Sequence, residues 1–534
     1  MKQHSFTTRL KSLAFVFSIA LAFASCANED VAQNPTKPNE DNDKNLTTFV
    51  AGDENKTRTS LDYNTSDFYW ETGDYIYVKD DDGVLRKSTN APTSKVAAFK
   101  YKVPGKFTAH SSYEVYYLGK NSSGNSVTIS TAQSQTSPDN TEHFGDAGDY
   151  GTATATGTLG GKSFSFELEH HPAYLVFQPY TSNTILQSCY LTKVEVNSDD
   201  DIAETYTVNP TTGALDASAV TDGKQIVLTT QDGTSGSSYN NGFPLTNSTA
   251  SVTTNGAYMV IKPGTHTLKV RYWVKDVATN VEGTITKAYT STAYASNTYY
   301  DMTADLNVTN YDGDHYYMWD AQKQYWKGHE WNHGGSQPTL HSWLPGATTS
   351  NDYPKSNADP RYYNEAFTYG VDNPATHTPC KDLPNANEMS WYVMFGDPRW
   401  DKDEVWTTMG HLYKGGMWLK KKSVLQAEHH YDTEKSADGS TDMRITVKYY
   451  SNSNSSINNS GLPSAADANK YFYLPALGYY NSGQLYIVGY NGNYWSSSAN
   501  PENSNYAYSL TVSSGNAGVG YGYRDAGFGG GGFE

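Results

Sequence analysis

Phe164-Ser165-Phe166-Glu167-Leu168-Glu169-His170-His171-Pro172-Ala173-Tyr174-Leu175-Val176-Phe177 decides the fold class. In its first half Phe164, Phe166 and Leu168 alternate with polar residues, which is the period of a strand with one buried face. In its second half Tyr174 to Phe177 is a continuous apolar run, as expected of a strand inside a sandwich. The same signals recur on both sides. Upstream, Phe68-Tyr69-Trp70 and Tyr75-Ile76-Tyr77-Val78 flank Glu71-Thr72-Gly73-Asp74, and Asp80-Asp81-Asp82-Gly83 is a hairpin-type turn. Tyr113 to Leu118 is a further strand. Downstream, Leu191 to Val196, Gln225 to Thr229, Ala257 to Lys262 and Thr267 to Lys275 continue the pattern to about Val308. Regular strands with turn clusters and no helical period predict two β-sandwiches in series, residues 48–160 and 161–310, with a Gly/Thr-rich boundary near 151–161.

After Asn310 the composition shifts to dense Trp, Tyr, His and Gly, and helical spacing appears. Asn385 precedes Glu388 as in a capping box, and Met389, Tyr392 and Val393 share a face before Gly396. A second helix is expected from Asp401 and Asp403, with Val405, Met409, Leu412 and Tyr413 at helical spacing up to Gly415-Gly416. Residues 311–534 are therefore expected to form a separate α+β module, in a chain that is mostly β.

The 44 tyrosines, with abundant Ser, Thr, Asn and Gly, suit many short antiparallel strands and their turns. The N-terminus has another character. Lys2, His4, Arg9 and Lys11 precede an apolar run from Leu13 to Ala24, shorter than the ~20 residues a spanning helix needs. Residues 1–25 thus read as a secretory signal, ending in Phe23-Ala24-Ser25-Cys26. Residues 26–47 hold few large apolar groups and read as an acidic flexible tether. The formal charge is −17, and the chain from Cys26 on, without Lys2, Arg9 and Lys11, carries −20. No basic cluster remains to neutralise phosphates, so no nucleic-acid partner is expected. Cys26, Cys189 and Cys380 are the only cysteines, too few for a disulfide framework.

Several of these stretches resemble known families. Small residues followed at once by Cys26 resemble the bacterial lipobox, which implies lipidation of Cys26 and an outer-membrane anchor. Glu29-Asp30 resembles the signal that sends Bacteroidales lipoproteins to the cell surface. Thr57-Arg58-Thr59-Ser60-Leu61-Asp62, Tyr69-Trp70-Glu71-Thr72-Gly73-Asp74-Tyr75-Ile76 and His170 to Phe177 resemble the fimbrillin family over residues 48–308. That resemblance implies two transthyretin-like sandwiches, other pilus subunits as partners, and maturation by cleavage behind Arg58. Such cleavage would remove an N-terminal strand, Leu46 to Val50, and open a groove for a donor strand. Tyr317-Met318-Trp319-Asp320, Leu383 to Glu388, Tyr473 to Tyr479 and Tyr494-Trp495-Ser496-Ser497-Ser498 resemble the Fibrobacter succinogenes major paralogous domain, which implies a C-type lectin-like fold for residues 311–534. The usual ending of that family is an Arg-containing strand, whereas this chain ends in Gly527-Phe528-Gly529-Gly530-Gly531-Gly532-Phe533-Glu534, which leaves its closing strand open.

No stretch carries a persuasive catalytic arrangement. His329-Glu330-Trp331-Asn332-His333 has the HExxH spacing, but Gly328 before it and Gly334-Gly335 after it argue against the helix that would aim both His at one metal, so no metal, cofactor or catalytic residue is expected. Asn500-Pro501-Glu502 holds, in scrambled order, the residues of the calcium and sugar motif of true C-type lectins, without the companion ligands Ca²⁺ requires. The best binding candidate is Tyr479 to Phe528, roughly two-thirds Tyr, Ser, Gly or Asn, with Glu502, Arg524 and Asp525 its charges. Tyr486, Tyr490, Tyr494, Tyr521 and Tyr523 are the expected contacts, and Trp495 is expected in the core. The expectation is a surface adhesin for a glycan or a host or bacterial surface protein, associated with a pilus. The alternative is a free-standing glycan-binding lipoprotein of the outer membrane.

Overall fold

The computed structural model describes residues 2–5, 45–52, 60–63, 67–120, 122, 124–277, 280–311, 313–366, 374–453, 457–459, 461, 464 and 467–534. Cys26, Glu29, Asp30, Arg58 and the apolar run Leu13 to Ala24 lie outside them. The chain is mostly β, with 42% of it in strands and 9% in helices. Among the described residues no helix is long and apolar enough to cross a membrane. Two compact units emerge: Met1–Thr181, Leu191–Val270 and Tyr289–Asp305 form the first, and Ser182–Tyr190, Arg271–Ala288 and Leu306–Glu534 the second.

In the first unit, one sheet runs in the order Leu85–Lys87, Tyr77–Lys79, Ser112–Tyr117, Gly151–Gly157, Ser163–Phe166, Leu46–Ala51, Phe99–Pro104. It takes in Phe164 and Phe166, beyond the boundary expected at residue 160. Leu46–Ala51 lies inside this sheet, parallel to Ser163–Phe166 and antiparallel to Phe99–Pro104. Its residues alternate between half-buried and buried. Phe49, fully buried, stacks on Phe164 at 5.4 Å and meets the edges of Phe107 and Tyr113. A second sheet joins Lys2–Ser5, Thr298–Asp305, Ala173–Tyr180 and Ala257–Ile261. Tyr174, Leu175, Val176 and Phe177 are all fully buried there, so both faces of this strand are covered, as the continuous apolar run predicts.

The second unit includes two larger sheets and the helix Ala386–Phe395. Arg399–Thr408, His411–Lys420 and Tyr471–Pro475 are antiparallel neighbours. The other sheet runs Tyr316–Tyr317, Phe528–Gly529, Asn491–Ala499, Tyr506–Ser513, Asn516–Tyr523, Tyr450–Ser453. The helix Ala386–Phe395 starts at the expected capping box: the Asn385 side chain accepts from the Glu388 backbone, and the Glu388 carboxylate accepts from the Asn385 N–H. Asn385→Ala should lower the stability of this unit by about 1 kcal/mol in a denaturant melt.

The second expected helix is not one. Residues 401–413 belong to a β-hairpin whose turn is Met409-Gly410, with φ of 48° and 79°. Positive φ at both central residues is what a two-residue turn between twisted strands requires. The open question of the closing strand is also resolved. Phe528–Gly529 pairs with Tyr316–Tyr317, so the end of the chain is laced to the start of this module. Arg524, just ahead of it, is buried, gives its Nε–H to the Tyr506 carbonyl, and lies 4.5 Å from the Trp319 ring centre.

Candidate functional site

Asn516–Tyr523 carries small residues in alternate positions, and packing explains one of them. A Cβ on Gly522 would fall 2.5 Å from the Phe528 ring and 3.1 Å from Trp495, so only glycine lets these rings sit against the strand. Tyr521 and Tyr523 point to the other face, together with the buried Ala517 and Val519. They run past the covered part of that face and are 50% and 61% exposed. Tyr506 lies 4.5 Å from Tyr521 and 4.8 Å from Tyr523, ring centre to ring centre. Tyr449, also exposed, adds a fourth ring 5.6 Å from Tyr521. The planes are tilted against each other by 49–58°, so the rings form a faceted surface.

The phenols of Tyr506 and Tyr449 stay protonated at neutral pH. The Tyr523 hydroxyl hydrogen-bonded to Tyr506 holds the latter up at about 12. Burial, then the charges of Tyr521 and Glu502, raises Tyr449. A neutral hydroxyl both donates and accepts.

The other expected contacts fall elsewhere. Tyr490 is 62% exposed, in a turn with Gly489 at φ 82°, and it meets Trp343, 63% exposed, and His341, each at 6.2 Å. Burial holds His341 below its usual pKa, which keeps it neutral. Tyr486 is half-buried, stacked on Tyr479 at 5.4 Å with its hydroxyl on Gln484. Tyr494 is not a contact residue: it is 1% exposed and donates its hydroxyl to the Pro475 carbonyl. A ring with no free face cannot meet a ligand. Sequence reasoning missed Tyr449, Tyr506 and Trp343. Trp343 stands just before Pro345-Gly346, a loop signal that could have flagged it as exposed.

The remaining motifs are turns. Trp331–His333 is a single 3₁₀ turn closed by Gly334 at φ 78°, which gives no helical face on which His329 and His333 could stand together. The Glu330 carboxylate accepts from the Gly328 N–H and from Gln324, both at 2.8 Å. Asn500 uses its side-chain oxygen to accept from the Glu502 and Asn503 N–H groups, an Asx turn. Among the described residues one cluster has three possible metal ligands in reach, Asp199, Asp200 and His266 in the first unit. Its atoms are engaged locally: His266 Nδ1 meets Asp200 at 2.5 Å and Asp199 accepts from the Thr267 N–H.

No protein-family model matches the sequence, and no curated protein matches it. Solved structures with a loose likeness include a candidate cell adhesion protein of Bacteroides ovatus, 13% identical, TM-score 0.32, matched over 49% of this chain and 91% of that one. A fimbrial protein of Bacteroides ovatus is 12% identical with a TM-score of 0.22, over 91% of this chain and 99% of the other. The fimbrial anchor protein Mfa2 of Porphyromonas gingivalis is 11% identical with a TM-score of 0.21, over 46% and 83%. Scores this low are too loose to assign a fold or an activity.

Proposed function

We propose that the chain is a surface adhesin without catalytic activity, exported by residues 1–25, lipidated at Cys26 and associated with a pilus. Its second unit, in this reading a C-type lectin-like module, binds a neutral glycan through exposed tyrosines. The observation that carries the reading is the contiguous surface of Tyr449, Tyr506, Tyr521 and Tyr523. Such rings stack on the apolar face of a sugar while their hydroxyls hydrogen-bond to it, and loop- and edge-borne aromatics cost little entropy to order. The test is a glycan and mucin array with the full chain, followed by calorimetry on variants. Tyr521→Ala and Tyr523→Ala should each weaken binding by about 1–2 kcal/mol with an unchanged melting temperature. Normal binding by both variants would sink the reading.

Association with a pilus is supported by the position of Leu46–Ala51. This strand lies between Ser163–Phe166 and Phe99–Pro104 and is held by backbone pairing on both sides. Cleavage behind Arg58 would release it, and an incoming strand could take its backbone partners. N-terminal sequencing of protein from assembled pili should then begin at Thr59. An intact lipidated Cys26 terminus in the polymer would leave the chain as an anchor or as a free-standing lipoprotein.

A further inference from the structure

In the second unit, the rings of His341, Trp343 and Tyr490 stand nearly perpendicular to one another. His341 meets Trp343 at 5.5 Å and 81°, and Tyr490 at 6.2 Å and 90°. Trp343 meets Tyr490 at 6.2 Å and 70°. His341 is 5% exposed, while the other two are 63% and 62% exposed. The three rings form a corner with a buried floor and two open walls.

The backbone holds both walls in place. The Ser342 N–H donates to the Leu485 carbonyl at 2.9 Å, and the Ser350 N–H to the Gly483 carbonyl at 3.0 Å. The Tyr413 hydroxyl donates to the Thr339 carbonyl at 3.1 Å. The loop that carries Trp343 is thus pinned at its start, middle and end. On the other wall, the Gly489 N–H donates to the Ala476 carbonyl at 2.7 Å and the Tyr490 N–H to the Ile487 carbonyl at 3.0 Å. A ligand entering such a corner does not have to order it.

The floor supplies a directed polar group. Nδ1 of His341 accepts the Trp343 N–H at 3.2 Å, so the ring proton sits on Nε2. That N–H meets no acceptor among the described residues. A donor on so buried a residue costs free energy unless an acceptor comes from outside the chain. The Trp343 indole N–H and the Tyr490 hydroxyl also bond to none of the described residues. Two apolar faces are therefore accompanied by three donors. An aliphatic side chain offers no acceptor to match them, and a proline ring offers one neighbouring carbonyl. A pyranose offers a face of C–H groups with hydroxyls around its rim.

We infer that His341, Trp343 and Tyr490 form a second sugar-binding site, which takes a pyranose ring against Trp343 and Tyr490 with one of its oxygens accepting from His341 Nε2. The site shares no residue with the surface of Tyr449, Tyr506, Tyr521 and Tyr523, and that surface holds no tryptophan. An indole signal therefore separates the two.

Fluorine NMR of the full chain labelled with 5-fluorotryptophan tests this, with the Trp343 resonance assigned by its absence from Trp343→Phe. The probe is methyl β-D-glucopyranoside, whose equatorial hydroxyls leave C–H groups on both ring faces. It should shift the Trp343 resonance saturably, with a Kd of about 1 mM for a ligand of this size. Tyr490→Ala should weaken that binding at least about fivefold at an unchanged melting temperature, and Tyr490→Phe should weaken it less. No shift up to about 20 mM, well above that Kd, overturns the proposal whatever the four tyrosines bind. A shift that Tyr490→Ala leaves unchanged also overturns it. An equal shift with acetyl-proline methylamide overturns the sugar assignment and makes the corner a peptide site.

Discussion

Trp495→Ala is expected to destabilise the second unit by about 3–5 kcal/mol, enough to abolish most of a typical domain's stability. Trp495 is fully buried, stacked on Phe528 at 4.3 Å, with its Nε1–H on the Tyr317 carbonyl at 2.7 Å. Trp319 answers from the other side, donating to the Ser496 carbonyl at 2.9 Å. The pair stitches the first strand of the module to a central one. Deleting the indole leaves a cavity against Phe528 and an unpaired carbonyl at Tyr317. Trp495→Phe keeps most of the volume and loses the hydrogen bond, so it should cost clearly less. Thermal melts of the two variants beside Tyr521→Ala separate core from surface. A Trp495→Ala protein that melts like the parent would show that the indole is not what joins these strands.

The second large effect lies at a buried acidic pair. Arg271 meets Asp401 at 3.0 Å and Thr284 at 2.7 Å, while Glu404 accepts from the Thr286 N–H, the Thr286 hydroxyl and the Thr284 hydroxyl. All lie in the second unit, where Arg271–Ala288 reaches strand Arg399–Thr408. Arg271→Met should cost about 3–5 kcal/mol, because it removes one partner of a buried ion pair. Burial, and then the charge of Asp401, push Glu404 from 4.5 up to about 7. The folded unit therefore holds a proton that the unfolded chain releases between those values. This group's contribution to stability is fully present below pH 4.5 and is lost as pH rises through about 7, a difference of up to about 3 kcal/mol. Glu404→Gln keeps an acceptor for the Thr286 N–H and has nothing to ionise. Urea unfolding between pH 5 and 8 should show the parent losing stability with pH and the variant staying flatter. Parallel slopes would place Glu404 in its ionised form throughout.

The misread hairpin shows where the sequence signal ends. Val405, Met409 and Tyr413 are spaced by four, which puts them on one face of a helix and equally on one face of a strand. Only the turn separates the two cases, and Met409 at positive φ is not a residue that announces one. The helix Ala386–Phe395 was legible because its start is a local chemical event, one side chain bonding a backbone group three residues on. The strands around Phe164 to Phe177 were legible for a similar reason, since alternation and an unbroken apolar run are written in consecutive residues.

The tyrosines mark the other limit. Tyr494 and Tyr521 lie in the same Gly-, Ser- and Asn-rich stretch, yet one is 1% and the other 50% exposed. The sequence by itself determined that the chain is mostly β, that its second half carries a capped helix, and that its last fifty residues are rich in rings and hydroxyls. The tertiary structure alone decided which rings are core and which form a surface. Strand alternation sorts side chains into two faces, but burial depends on what distant segments lay over each face, and Pro475, Phe528 and Trp319 reach their places from far along the chain.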